Sequence, residues 1–313
     1  MNSFRLLSTS SAALLASLHL AAAQQTPLTP PAEDSKKDGI KLQDDKGLEK
    51  MQDGVKLEPT LPTTPDQPGT TPEITTPPET KAPEIPEALK NLRPEQLQKY
   101  TTLRDEATTF MRSVRLQEAL EKLAEADREV GEPLSEIENL RGAIYTKMRD
   151  FAKAREAFTK SEQLDKESFH PRFNLAELDF VEKRWEPART SFQELIKLND
   201  NNKLQQVAKL DGDAKERVER QFASTSRLMQ FKILICQLQE KKNAEAEALL
   251  KEFKPYDDDS PAYYFGNAAA AFARNDKEAA EEWIASAKNI YSSDVNEIYV
   301  DSLVEMGWLQ TLQ

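Results

Sequence analysis

The pattern of apolar and polar positions changes character near residue 93. From Pro94 onward, apolar residues return every three or four positions, the spacing that lines one face of an α-helix. The helical segments come in pairs separated by short polar turns, and the pairs themselves repeat. Gly142 is matched by Ala176, Phe151 by Trp185, Ala154 by Ala188, Arg155 by Arg189, Phe158 by Phe192 and Leu164 by Leu198, each offset by 34 residues. A fixed period of this size predicts stacked helical hairpins, each burying its apolar face on the next. They are expected at about 100–134, 135–168, 169–202, 227–260 and 261–294. The first copy is one residue longer, and Gly131-Glu132-Pro133 absorbs the slack.

Residues 203–226 interrupt the period, which then resumes in phase: Ala246 and Ala280, like Leu250 and Ile284, are again 34 apart. Helical periodicity from Ala214 to Phe222 predicts that this insertion lengthens the helix after it. A last helix within 295–313, carrying Ile298, Leu303, Met306, Trp308 and Leu309, is expected to cover the final hairpin, whose apolar face otherwise meets water. The residue types suit close helix crossings. Gly142 and Ala154, like Ala176 and Ala188, leave room for two backbones to approach, and Phe158 and Phe192 fill the space toward the next hairpin. Pro94 and Pro187 fall at helix starts, where a missing N–H costs nothing.

Before residue 93 the composition is different. Residues 1–23 read as a secretory signal: Arg5, an apolar stretch from Leu6 to Leu20, and Ala21-Ala22-Ala23 as an A-x-A cleavage site. Serines, Thr9 and His19 dilute the apolar run, which falls short of a bilayer span. Residues 24–92 hold twelve of the 18 prolines, mixed with Thr, Asp, Glu and Lys, and are expected to form a disordered acidic tether. Within it Asp38-Gly39-Ile40-Lys41-Leu42 recurs as Asp53-Gly54-Val55-Lys56-Leu57. These features predict a periplasmic or secreted protein with no membrane span after signal cleavage.

Charge and chemistry narrow the function. A formal net charge of −12 argues against nucleic acid, whose phosphates reward clustered Lys and Arg. Cys236 is the one cysteine, so no intramolecular disulfide forms and the core must carry stability. After the signal the one histidine is His170, which leaves no zinc-ligand cluster and no sequence basis for a Cys/His nucleophile. No phosphate-binding glycine loop is present, and no cofactor is expected. Asp257-Asp258-Asp259 lacks the spacing of a calcium loop and reads as a turn that favours the helix start near Pro261. A cell-wall lytic enzyme built on Glu167-Ser168 would need a separate catalytic domain, and none follows that pair. The chain is expected not to be an enzyme.

The 34-residue period, the small residue at the eighth position, the aromatics Phe110 and Tyr145 at the eleventh and the Ala-x3-Phe of the second helix resemble the tetratricopeptide repeat (TPR) family. The match is specific in the second and third copies. The pattern departs at Asp179, Gln237 and Ala271, where the family usually has an aromatic. The resemblance implies an all-α, right-handed α-solenoid of about five hairpins with a C-terminal capping helix. It also implies a concave groove lined by the first helix of each repeat. Carried onto this chain, the groove takes Glu136, Asn139, Leu140, Ala143 and Thr146 from the second copy. The third supplies His170, Phe173, Asn174, Glu177 and Phe180, and the later copies Phe231, Ile235, Phe265 and Phe272. The Lys/Arg clamp that some relatives use for a C-terminal carboxylate is not reproduced. From sequence, Phe173, Phe180, Phe231 and Phe272 suit either a groove or a core. The function this implies is an exported interaction scaffold for a protein or peptide partner. The alternative is a self-associating structural component of the cell envelope.

Overall fold

A repeated turn and a set of small residues build this molecule. The computed structural model describes residues 86–256 and 260–310, which belong to one compact unit. The signal, the duplicated Asp-Gly segment, nearly all of the tether and Asp257–Asp259 lie outside the described residues. Among the described residues every regular element is α-helix. A single turn, α1 (Glu87–Lys90), already lies within the stretch expected to be tether, and its Ala88 is buried. Five hairpins follow: α2 (Pro94–Arg112) with α3 (Leu116–Val130), α4 (Ser135–Lys147) with α5 (Phe151–Leu164), α6 (Phe169–Val181) with α7 (Trp185–Val207), α8 (Gly212–Gln239) with α9 (Asn243–Glu252), and α10 (Ala262–Ala273) with α11 (Lys277–Ile290). A single helix, α12 (Ser293–Glu305), ends the series.

The turns inside the five hairpins are conformational copies of one another. Val114, Arg149, Lys183, Lys241 and Asn275 each hold a left-handed φ between 59° and 62°. The next residue's N–H then returns to a carbonyl in the last turn of the first helix. Arg115 donates to Phe110 (2.8 Å), Asp150 to Tyr145 (2.9 Å), Arg184 to Asp179 (2.8 Å), Lys242 to Gln237 (2.9 Å) and Asp276 to Ala271 (3.0 Å). This closure satisfies carbonyls that a helix end leaves unpaired. It holds residues without glycine's freedom in a conformation that costs about 1–2 kcal/mol each.

Small residues then set how closely the helices meet. A Cβ added at Gly142 would lie 2.5 Å from the Phe158 ring, so α4 and α5 meet at this distance because position 142 has no side chain. Gly266 plays the same part in α10, with Leu250 and Phe253 against it. Ala154, Ala188, Ala246 and Ala280, the matching residues of the second helices, are all buried.

Two expectations change. The insertion lengthens both helices of an antiparallel pair rather than one: α7 continues to Val207 and α8 begins at Gly212. Buried Asn199 ties them, its Nδ2 donating to the Phe222 carbonyl and the Ser226 hydroxyl, both at 2.9 Å. The terminal helix stops at Glu305, and Gly307 (φ 73°) turns the chain so that Trp308 and Leu309 lie beyond the helix.

Candidate protein-interaction surface

The first helices of the hairpins share one side of the molecule, and the charges along it are arranged in two different ways. On α2 and α4, Glu136 accepts from the Tyr100 hydroxyl and from Arg104 Nη1 at 3.4 Å. Burial first, and then the Glu136 carboxylate, push the Tyr100 phenol well above its ordinary value. Asn174 of α6 donates to Asn139 of α4 at 2.8 Å, joining neighbouring first helices through their amides. His170 is half-buried, its Nδ1 finds no partner among the described residues, and burial holds its imidazole down to about 4. The ring is therefore neutral at pH 7.

Farther along, the same side is covered. Lys232 of α8 is buried, and its ammonium donates to Glu177 of α6 at 2.9 Å and to the Ser302 hydroxyl of α12 at 3.0 Å. The ammonium also lies 4.6 Å from the centre of the Phe180 ring. Burial raises the Glu177 carboxyl above the usual range, and Lys232 opposes that rise. Tyr299 of α12 packs on Phe231 (5.0 Å between ring centres) and on Phe265 (5.3 Å). Its hydroxyl is 2.7 Å from Ser260. Arg149, in the turn after α4, donates to Glu305 at 3.0 Å, and Asp301 acts on Lys147. Trp308 stacks on Phe272 at 5.7 Å. The last helix therefore does more than cover the last hairpin: it reaches groups at the end of α4 and on α8 and α10.

This geometry decides among the groove residues expected from sequence. Phe173 and Phe180 are core: Phe173 sits against Phe169 (5.7 Å) and Phe192 (6.0 Å), and Phe180 against Trp185 (5.8 Å). Asn174 and Glu177 are buried too, and of the six central candidates only Asn139 and His170 reach solvent. Leu140, Ala143, Thr146, Phe231, Ile235, Phe265 and Phe272 are likewise buried. The physical reason is that α6 lies under α7 and α8, while α12 covers the first helices of the last two hairpins. A signal for α12's placement was present in the chain, since Phe231, Phe265 and Tyr299 are each 34 residues apart. The period thus runs one helix further than the five pairs.

The departure at position eleven of the third copy also has a reason. Asp179 accepts from Arg155 (2.8 Å) and Arg184, so an ion pair replaces the aromatic contact. Arg189, the counterpart of Arg155, reaches Glu240 at 2.7 Å in the same way. Each arginine ties the second helix of one hairpin to the turn region of the next. The 34-residue step, the five copied turns and these ties describe one helical hairpin stacked repeatedly on the next. The chain folds as a TPR-like α-solenoid.

No protein-family model and no curated protein matches the chain. Two solved structures are similar to this solenoid. One is a tetratricopeptide repeat protein from Parabacteroides merdae, with 16% identity over 65% of this chain and 84% of that one, at a TM-score of 0.36. The other is the TPR domain of P58(IPK), with 16% identity over 70% of this chain and 69% of that one, at a TM-score of 0.28.

The remaining candidate chemistry of the solenoid is sparse. Cys236 is buried, and burial pushes its thiol up to about 12, which leaves no reactive thiolate at neutral pH. Glu167 is exposed and Ser168 half-buried on the α5–α6 loop. Among the described residues no group of three or more His, Cys, Asp or Glu side chains is placed to hold a metal ion, and no helix is long and apolar enough to cross a membrane.

Proposed function

We propose that this chain is an exported, non-catalytic interaction scaffold whose first-helix side binds a protein segment. The observation that carries the reading is α12 itself. Side chains from the end of α4 and from α8 and α10 converge on one helix and meet its aromatic ring, hydroxyl and a carboxylate with rings, an ammonium and a guanidinium. A surface of that chemistry is suited to protein rather than to nucleic acid or a small polar substrate. Export rests on the signal pattern of residues 1–23.

Photo-crosslinking in the native host tests the surface. A crosslinking residue at Asn139 or His170, both partly exposed on the first helices, is expected to trap a protein adduct. The same residue at Lys251, exposed on a second helix, is expected to trap none. Equal adducts at both places would sink the assignment of the binding face. Fractionation tests export: the mature chain should begin near Gln24 and lie outside the cytoplasm, and an uncleaved cytoplasmic chain would overturn that part of the proposal.

A further inference from the structure

The pair formed by α7 and α8 is longer than its neighbours. α5 ends at Leu164, whose counterpart 34 residues on is Leu198, yet α7 continues to Val207, about 14 Å further at the rise of an α-helix. α8 begins at Gly212, well before the repeat resumes near Arg227. The base of this arm is tied, since Asn199 donates to the Phe222 carbonyl and to Ser226. Beyond the tie the packing stops. Between Asn199 and Phe222 no side chain is buried. Leu204 exposes 70% of its surface, and Val207, Leu210 and Val218 are half-buried. None of the four belongs to the hydrophobic core of either half. Leu204, Val207 and Ala208 share one face of α7, and Ala214 and Val218, four residues apart, share one face of α8. Helices this short have little stability of their own in water and take it from packing an apolar face. The arm has such faces, and no described residue buries them.

We propose that the arm is a self-association site: its open faces take the arm of a second copy, and the four helices form a bundle about a two-fold axis. Charge favours this occupant. The chain carries a formal net charge of −12, so most of its surface repels another copy. Residues 199–222 hold five acidic and five basic side chains and are neutral as a set. Within the arm the charge is unevenly shared. The end of α7 carries Lys203 and Lys209, while the chain enters α8 through Asp211 and Asp213. A two-fold axis brings the same patch of both copies together. With that axis along the arm, α7 of one copy lies on α8 of the other, and the two lysines come level with the two aspartates. The arm offers about a dozen residues per copy, roughly half of what a standard interface uses, so the dimer is expected to dissociate in the micromolar range. The site is separate from the first-helix side, and the inference does not depend on the reading above. A dimer presents the first-helix side twice, so a partner with two matching segments is held more tightly than one copy could hold it.

Sedimentation of the full chain from about 1 to about 100 μM tests the pairing. A monomer that converts to a dimer across the range is expected, and a chain that stays monomeric at its upper end overturns the proposal. Leu204→Lys places a charge at a position already open to water, so the fold is kept, and it should weaken dimerisation at least about tenfold. Leu164→Lys, at a leucine 44% exposed outside the arm, should leave dimerisation unchanged. An unaffected Leu204→Lys dimer, or equal weakening by both changes, would place the contact elsewhere and overturn the pairing. Hydrogen exchange needs no variant. Amides of residues 200–221 should exchange several-fold more slowly at the high concentration than at the low one, while those of α4 stay the same. A dimer that leaves the amides of the arm unprotected is equally fatal to the proposal.

Discussion

The first two hairpins and the later ones use one repeat to opposite ends. In α2 to α5 the core is built mainly from Leu103, Ala107, Met111, Leu123, Ile137, Ile144 and Phe158, and its charges form ties around it, as where Glu138 accepts from Arg141 and Lys160, each at 2.7 Å. From α6 onward the core is aromatic, with Phe173, Phe180, Phe192, Phe231, Phe265 and Tyr299, and a charge pair lies inside it. The first half adds hairpins in sequence, and its contacts join neighbours except where Arg149 reaches Glu305. The second half joins α6, α8 and α12, which are far apart in the chain. A 34-residue period therefore dictates the hairpin and its turn, while the side chains on the first helices decide whether the stack stays open or takes a helix against itself.

The sharpest way to break this comparison is at Lys232. Lys232→Ala leaves Glu177 buried without its cation, and the expected loss is about 3–5 kcal/mol by chemical denaturation. The double replacement Lys232→Met with Glu177→Leu removes both charges and should recover most of that loss. Equal losses in the single and double variants would mean that the pair is not the organising contact of the second half. No ion pair of the first half is expected to match this effect, since Arg104–Glu136 and Arg141–Asp127 keep partial exposure.

Next in size is the hairpin crossing. Gly142→Ala drives a Cβ into the Phe158 ring and is expected to cost about 1–3 kcal/mol, as is Ala154→Leu at the same crossing. The third hairpin carries Ala176 at the matching position, so Ala176→Gly is expected to cost less than Gly142→Ala. A thermal melt of Gly142→Ala unchanged from the unaltered chain would show that α4 and α5 have slack that the structure does not show.

What was legible in the chain follows from which contacts are local. Small-residue crossings and second-helix phenylalanines lie within one period, so Gly142, Ala154 and Phe158 could be placed by spacing alone. The same spacing could not say whether Phe173 or Phe180 faced solvent. That depends on α8 and its Lys232, separated from Glu177 by 55 residues and an insertion. The left-handed turns were hidden for a different reason. Val114, Arg149 and Lys183 carry none of the glycine signal that usually marks such a position, and only the common geometry reveals them. Tyr299 was readable as a 34-residue echo of Phe265, but its hydroxyl contact with Ser260 and the partners of α12 on α4 and α8 were not.

Acid sharpens the comparison at a single position. His170 in the third hairpin corresponds to Glu136 in the second. Burial holds the folded imidazole near 4, below its ordinary 6.5, so the unfolded chain takes up the proton first as pH falls. Its contribution is complete above about 6.5, is lost between 6.5 and about 4, and is constant below that. The full difference corresponds to about 3 kcal/mol, and the partial exposure of the ring lowers the expected loss to on the order of 1–2 kcal/mol over that window. His170→Gln should flatten the difference between urea midpoints measured at pH 7 and pH 4.5. An unchanged slope would place the acid sensitivity in the carboxylates instead.

The smallest effect separates the turns from one another. Asn275 is the residue of the five that tolerates a left-handed backbone, because its short amide can bond locally. Val114 is β-branched, is held at φ 59°, and exposes 61% of its surface, so it pays the conformational cost without any burial in return. Val114→Asn is expected to raise stability by up to about 1 kcal/mol, seen as a higher urea midpoint at unchanged slope. Asn275→Val should do the reverse in the last hairpin. If the turns are truly one conformation, the two changes will be near mirror images. A loss from Val114→Asn would instead show that the first hairpin closes with a different turn, and that the five-fold copy of the backbone begins only at Arg149.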